Sequence, residues 1–208
     1  MRWCTGLILA AGTRLLPAAD LEESAWAIGL ERLPNPYDYR LSAPNGAFTG
    51  KLSSETEALV AGWRGTFAQP GWSHGPIVLA EGAVLRGSFS GGDFTAAEGR
   101  SGLGWAYALD RRWTGWTYAQ ATYGLGQLSV SEPSLGSQTY RGRGWSWMLG
   151  LGGSWAMSDS WSFTAHAGWR DERWDLSGHG NTIRLSAAGP TIGLGFEWRP
   201  AASPRRLE

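Results

Sequence analysis

The sequence predicts an all-β chain, with eight antiparallel strands closed into a transmembrane up-and-down β-barrel. Three observations carry that prediction. Apolar residues recur mostly at every second position from Ser24 to Trp198, the period of a strand and not of a helix. The face opposite the apolar one is chiefly Gly, Ser, Thr and Ala instead of charge. The 208 residues include 31 glycines and 14 tryptophans, whereas ordinary soluble domains hold glycine near about 7%.

Taken in order, the chain opens on Arg2 and an apolar run from Trp3 to Gly12. That run is too short to cross a bilayer as a helix but has the length of a signal h-region. Residues 1–19 are therefore expected to be a removable signal peptide. Arg14 interrupts the pattern, and two cleavage regions compete, Ala10-Ala11-Gly12 and the stretch around Pro17-Ala18-Ala19. A frayed N-terminus or a mis-assigned start is the alternative. The lone cysteine, Cys4, lies in this segment, so the remainder carries no thiol, which suits an oxidising periplasm. Nowhere does an apolar run reach the length of a transmembrane helix, so a membrane must be crossed by strands.

The barrel is expected over residues 24–198. In the first strand, Ala25 to Leu33, Trp26, Ile28 and Leu30 point one way; in the second, Glu57 to Phe67, Leu59, Ala61, Trp63 and Phe67 do. The third, Ile77 to Phe89, is apolar on both parities, and its faces stay unassigned. The fourth sets Leu103, Trp105, Tyr107 and Leu109 against Gly102, Gly104, Ala106 and Ala108. In the fifth, Trp116 to Leu128, the far half alternates cleanly, but Trp116 and Tyr118 fall on the small face, and a bulge is expected to restore register. The sixth sets Trp145, Trp147, Leu149, Leu151 and Trp155 against Gly144, Ser146, Met148, Gly150 and Ser154. A turn at Met157–Ser160 leads to the seventh, with Trp161, Phe163, Ala165, Ala167 and Trp169 against Ser162, Thr164, His166, Gly168 and Arg170. In the last, Pro190, Ile192, Leu194, Phe196 and Trp198 oppose Gly189, Thr191, Gly193, Gly195 and Glu197.

Seven connections follow from eight strands, and their expected lengths alternate. Those over 34–54, 90–100, 129–138 and 175–186 are long and polar or glycine-rich. Those around Pro70-Gly71, Asp110–Arg112 and Ser158-Asp159 are short. Long loops outside and short turns inside are the arrangement of a bacterial outer-membrane barrel.

Alternation alone does not say which face points inward, because a soluble barrel also alternates. The small face decides. A water-facing coat is a quarter or more Lys, Arg, Glu and Asp, whereas Gly, Ser and Thr fit the crowded bore of an eight-stranded barrel. The apolar face then meets lipid. Trp63, Trp155, Trp161, Trp169 and Trp198, near strand ends, are expected at headgroup level as aromatic girdles. Inside the bore the pattern places Arg64, His166, Arg170, Glu172 and Glu197, with Glu81 and Arg86 from the strand of unassigned faces. Buried charges must be paired or hydrated, so a lumen polar network is expected, either structural or a narrow gate.

At the C-terminus, Thr191-Ile192-Gly193-Leu194-Gly195-Phe196-Glu197-Trp198 resembles the assembly signal of outer-membrane barrels, the match falling on Thr191, Gly193, Phe196 and Trp198. With the alternation, the stretch from Ser24 to Trp198 is similar to the small Gram-negative barrels of the OmpA-barrel, OmpX and OmpW group. That resemblance implies the bacterial outer membrane as location and the barrel-assembly machinery as a partner. Members commonly end at the final aromatic; here 199–208 follow, a Pro- and Arg-containing tail expected to be disordered.

Little chemistry is expected. Formal net charge is zero and Lys51 is the only lysine, so no basic patch invites nucleic acid. No spacing suggests a metal, cofactor or catalytic set, and His166 reads as a hydrogen-bonded lumen histidine. His74 is placed in a short turn and His179 in a long loop. Arg40, Arg100, Arg141, Arg143, Arg173 and Arg184, toward the loops, either pair with lipopolysaccharide phosphates or are solvated. The leading expectation is a non-enzymatic barrel presenting surface loops for envelope integrity or adhesion. The resemblance also allows a narrow conduit for small or apolar molecules and, third, a lipid A deacylase or acyltransferase; His166–Arg173 lacks any recognised deacylase signature.

Overall fold

The computed structural model describes residues 21–33, 36–44, 46–53, 55–67, 73–89, 91–109, 112–132 and 136–200. The expected signal segment and residues 201–208 of the expected tail lie outside them. Ten strands are present: β1 (Leu21–Arg32), β2 (Tyr37–Ala43), β3 (Gly46–Leu52), β4 (Glu55–Phe67), β5 (His74–Phe89), β6 (Gly92–Ala108), β7 (Trp113–Glu132), β8 (Gly136–Ala156), β9 (Trp161–Gly178) and β10 (Asn181–Trp198). All pairings are antiparallel. Eight strands, β1 and β4 to β10, form a ring, because β1 pairs with both β4 and β10.

The ring closes with a stagger. A path along paired residues from Ile192 through Arg32, Glu57 and Arg86 round to Ser177 returns to β10 at Thr182, ten residues from its start. Such a shift tilts the strands of a small barrel by roughly 35–45°.

The connection expected over 34–54 is instead the β2–β3 hairpin. β2 pairs with β10 over Thr182–Ser186, whereas β1 takes the same edge over Ile192–Trp198. Pro190, which has no N–H to donate, falls between those two stretches, where neither strand pairs. Three more expected loops are mostly strand, so the links shrink to 90–91, 133–135 and 179–180. His179 and Gly180 have φ of 52° and 77°, the left-handed pair that a two-residue hairpin turn of matching twist requires. His74 is the first residue of β5.

Strands β5 to β10 run 16 to 21 residues, whereas about 9–11 residues cross a bilayer. The excess rises at the end that carries the β2–β3 hairpin, the upper end, and there the pattern inverts. In the lower barrel the outward residues are apolar and exposed, among them Leu30, Leu103, Leu149, Leu151, Ile192 and Leu194. In the upper barrel the inward residues are apolar and the outward ones polar: Trp174 and Leu176 are buried between exposed Arg173, Asp175 and Ser177. The lower wall is built for hydrocarbon and the upper wall for water.

The bulge expected near Trp116 does not form. Pairing runs unbroken through β6, β7 and β8, and the register shift lies at Leu21/Glu23. Trp116 and Tyr118 stay on the small face because facing glycines make room: a Cβ on Gly152 would lie 2.5 Å from the Trp116 ring and one on Gly150 2.6 Å from Tyr118.

Candidate functional site

The bore of the barrel holds a layer of paired charges. Arg170, 1% exposed on β9, reaches Glu98 on β6 at 2.5 Å and Glu172 at 2.8 Å. Arg100 binds Glu98 at 3.1 Å and Glu31 on β1 at 2.6 Å. The Glu31 carboxylate also meets His166 Nε2 at 2.9 Å, and the Tyr37 hydroxyl donates to Glu172. The β2–β3 hairpin is thus tied to the charge layer through its first residue. Glu98/Arg100 and Arg170/Glu172 each sit two residues apart on one strand, a spacing that puts both side chains on one face.

Toward the lower end, Arg64 donates to Glu197 at 2.7 Å, and its guanidinium lies 4.1 Å from the centre of the Trp116 ring. Glu81 accepts from Gln120 at 2.7 Å. Between these groups is a cavity of about 60 Å³ bordered by Glu31, Arg64, Glu81, Tyr118 and His166, room for a few waters.

Apolar clusters lie on both sides of the Glu31–Arg100–Glu98–Arg170 layer. Toward the β2–β3 hairpin are Tyr37, Leu85, Phe94, Leu128, Trp174, Leu176 and their neighbours; toward the chain ends are Ile77, Leu79, Ala106, Trp116, Tyr118 and Met148, which surround the Arg64–Glu197 pair and help line the cavity. Trp174 is the largest plug. It stands edge-on to Phe94 with ring centres 5.1 Å apart and fills the space left by Gly126 and Gly144. The buried, mutually paired charges of Glu31, Glu98, Arg100, Arg170 and Glu172 oppose passage of an ion, which would have to replace its hydration with groups already paired.

Six of the residues expected in the lumen, Arg64, Glu81, His166, Arg170, Glu172 and Glu197, point into the bore. Arg86 does not: it is exposed on the outer wall opposite Glu57. The inward parity of β5 belongs to Ile77, Leu79, Glu81, Ala83 and Leu85, which Arg86 does not share. Arg100, expected toward a loop, is buried at the centre of the layer. Glu31, Glu98, Gln120 and Tyr37 were not singled out from the sequence; Glu98-Gly99-Arg100 carries the signal, an opposite-charge pair at strand spacing inside a presumed loop.

On the outer wall, Trp26 is cross-strand to Trp63 and Trp198, and Trp198 to Trp161. Trp155 stacks with Trp113, ring centres 6.3 Å apart. Trp155, Trp161, Trp169 and Trp198 are exposed, and Trp63 is half-buried where it folds over Gly65. Trp169 lies eight residues along β9 from Trp161, about 26 Å along the strand, at the other margin of the apolar band with Tyr123, Trp145 and Trp147. Of the assembly-signal positions, Thr191 and Gly193 are buried inward and Phe196 and Trp198 exposed outward. Among the described residues no group of three or more His, Cys, Asp or Glu is placed to hold a metal.

No protein-family model matches the chain, and no curated protein is similar in sequence. Solved structures are similar in fold. OprG from Pseudomonas aeruginosa, an outer membrane protein, aligns with a TM-score of 0.51 at 10% identity, covering 86% of this chain and 97% of that one. Ail, the attachment invasion locus protein of Yersinia pestis, aligns at 0.45 and 14% identity over 86% and 99%. Neisserial surface protein A aligns at 0.40 and 11% identity over 85% and 99%. The likeness to OprG extends to the fold, and the apolar wall supplies the rest: the chain is a small β-barrel of the Gram-negative outer membrane.

Proposed function

We propose that the chain is a non-enzymatic, non-conducting barrel that anchors a rigid extracellular β-structure in the outer membrane. The observation that carries this reading is the filling of the bore by a buried ion-pair layer with apolar clusters on either side of it. A conduit for small molecules is disfavoured by the same filling. An enzyme is disfavoured because His166 is held by Glu31 and faces Tyr118 edge-on within the bore, away from any lipid surface.

What the barrel presents is a standing sheet and not mobile loops. The β2–β3 hairpin extends the β10 side of the wall, and β3 pairs only with β2 among the described residues, leaving an edge strand that bears the exposed Phe48. Unpaired strand edges are the places where sheets accept other chains, which supports adhesion as the use of this surface. Envelope integrity is supported by the wall itself. Its two aromatic rows suit the two membrane interfaces, and the exposed guanidiniums of Arg40, Arg141, Arg143, Arg173 and Arg184 suit lipopolysaccharide phosphates.

In this reading the lumen network is structural, residues 1–19 direct export, and Phe196 and Trp198, displayed on the terminal strand, are read by the barrel-assembly machinery. Arg199 continues the pairing by one hydrogen bond, its N–H donating to the Ser160 carbonyl at 2.8 Å, and 201–208 form a tail beyond the signal.

Planar-bilayer recording tests the reading. The assembled barrel is expected to give no steady unitary steps over the voltages at which open porins conduct. Reproducible single-channel steps from the wild-type protein would replace it with the conduit.

A further inference from the structure

We infer that the outer wall carries a discrete site for one phosphorylated, multiply acylated glycolipid of the outer leaflet, the chemistry of lipid A. The site is an open concavity of about 940 Å³ across β5 to β9. Its lower part is floored by Val84, Ala97, Tyr123 and Leu125, and its upper part is lined by Gln127, Arg141 and Arg143. Register explains the division. Ala97, Leu125 and Arg143 are successive cross-strand neighbours, and one step higher so are Thr95, Gln127 and Arg141. Arg143 therefore ends the same row as the apolar Ala97 and Leu125, and Arg141 ends the polar row above it, at the margin where the wall changes from hydrocarbon-facing to water-facing.

The guanidiniums are poised and only lightly engaged. Arg141 donates from Nε to Gln127 at 3.0 Å. Arg143, exposed, makes no hydrogen bond or ion pair among the described residues. Its cross-strand neighbour Asp175, which also borders the site, gives its carboxylate to Arg184 at 2.7 Å. Next to these, Arg173 faces Asp171 at 3.8 Å and lies over Trp145. Four arginines against two aspartates leave this face of β8 to β10 cationic.

Two forked guanidiniums two residues apart match a phosphate, and the apolar floor directly below matches acyl chain. A free phosphate makes no use of the floor, and an uncharged lipid makes no use of the arginines. Only an amphiphile with phosphate at the acyl boundary satisfies both.

This inference rests on the reading of the chain as an outer-membrane barrel with lipopolysaccharide at its wall, and it adds which residues hold the lipid. The test is native mass spectrometry of the full, detergent-solubilised barrel titrated with purified bis-phosphorylated lipid A. Wild type is expected to retain one equivalent, and R141A/R143A to bind it about tenfold or more weakly. Dephosphorylated lipid A should bind wild type as weakly, and inorganic phosphate should not displace the lipid. Both arginines project outward from the wall, so the double variant should keep heat-modifiable migration. Arg141→Lys/Arg143→Lys, with charge but no fork, should fall between. Equal affinity of wild type and R141A/R143A would remove this site while leaving a general lipid-contacting wall. Absence of any retained lipid A, or equal binding of the dephosphorylated form, would also overturn it. Channel activity would refute the functional reading without touching this result.

Discussion

Replacing Arg170 with methionine is expected to destabilise the barrel by about 3–5 kcal/mol, the effect of breaking a buried ion pair from one side. Arg170 is 1% exposed and is the cation between Glu98 and Glu172, whose side chains are 1% and 0% exposed. Its removal leaves Glu172 with the Tyr37 hydroxyl alone among its charge-layer contacts, and Glu98 with Arg100. Among the described residues, five inward glutamates, Glu31, Glu81, Glu98, Glu172 and Glu197, already face three inward arginines and His166, so none of these cations is spare. Reversible urea unfolding in lipid vesicles, followed by tryptophan emission, measures the loss. Adding Glu98→Gln and Glu172→Gln to Arg170→Met should restore much of the stability, since neutral groups cost less to bury. A single variant as stable as wild type would mean that water reaches this layer.

Trp174→Ala is expected to cost about 3–5 kcal/mol through the cavity it leaves. Trp174 is 1% exposed, packs on Phe94 and occupies the hollow between β7 and β8. Gly144 is its complement: a Cβ there would lie 2.4 Å from the Trp174 ring. Gly144→Ala should therefore overpack the same point and cost about 1–3 kcal/mol. The pair Gly144→Ala/Trp174→Ala should lose less than the sum of the singles, because removing the indole relieves the two closest contacts of the added methyl and leaves the Arg173 carbonyl, at 2.8 Å, as its remaining opponent. Strict additivity would place Trp174 elsewhere than over Gly144.

These two regions also show where the sequence was legible. The lower strands were, because large apolar residues on one parity and mostly Gly or Ser on the other persist for eleven residues, as in β8 from Trp145 to Trp155. The upper strands read as loops because the apolar parity switches. Along β9 it is odd through Trp169 and even at Trp174 and Leu176, so the one-face alternation fades after Trp169 and the stretch from Asp175 reads as loop. The strand continues while its surroundings change from lipid to water. Tyr37, Tyr39 and Leu41 against Asp38, Arg40 and Ser42 hold the same soluble-type alternation, which marks the β2 hairpin.

The charge layer was half legible for the same reason. Arg170 and Glu197 sit within strands of clear parity and were assigned inward. Arg100 was lost with the upper part of β6, and Arg86 was misplaced because both faces of β5 are apolar where the two regimes overlap. Trp116 was a different case. Bulk on the small face suggested a bulge, but the space it needs belongs to Gly152 on the neighbouring strand, and only pairing of β7 with β8 reveals that.

The account depends on the odd face of β8 and its equivalents meeting acyl chains. Among the described tryptophans only Trp116 and Trp174 point inward; Trp26, Trp63, Trp105, Trp113, Trp145, Trp147, Trp155, Trp161, Trp169 and Trp198 lie on the outer wall. Reconstitution into vesicles of lipid brominated along its acyl chains measures this directly. Most of the tryptophan emission should be quenched relative to unbrominated lipid. Emission unchanged by bromine, from a chain that stays monomeric in buffer without detergent, would contradict it.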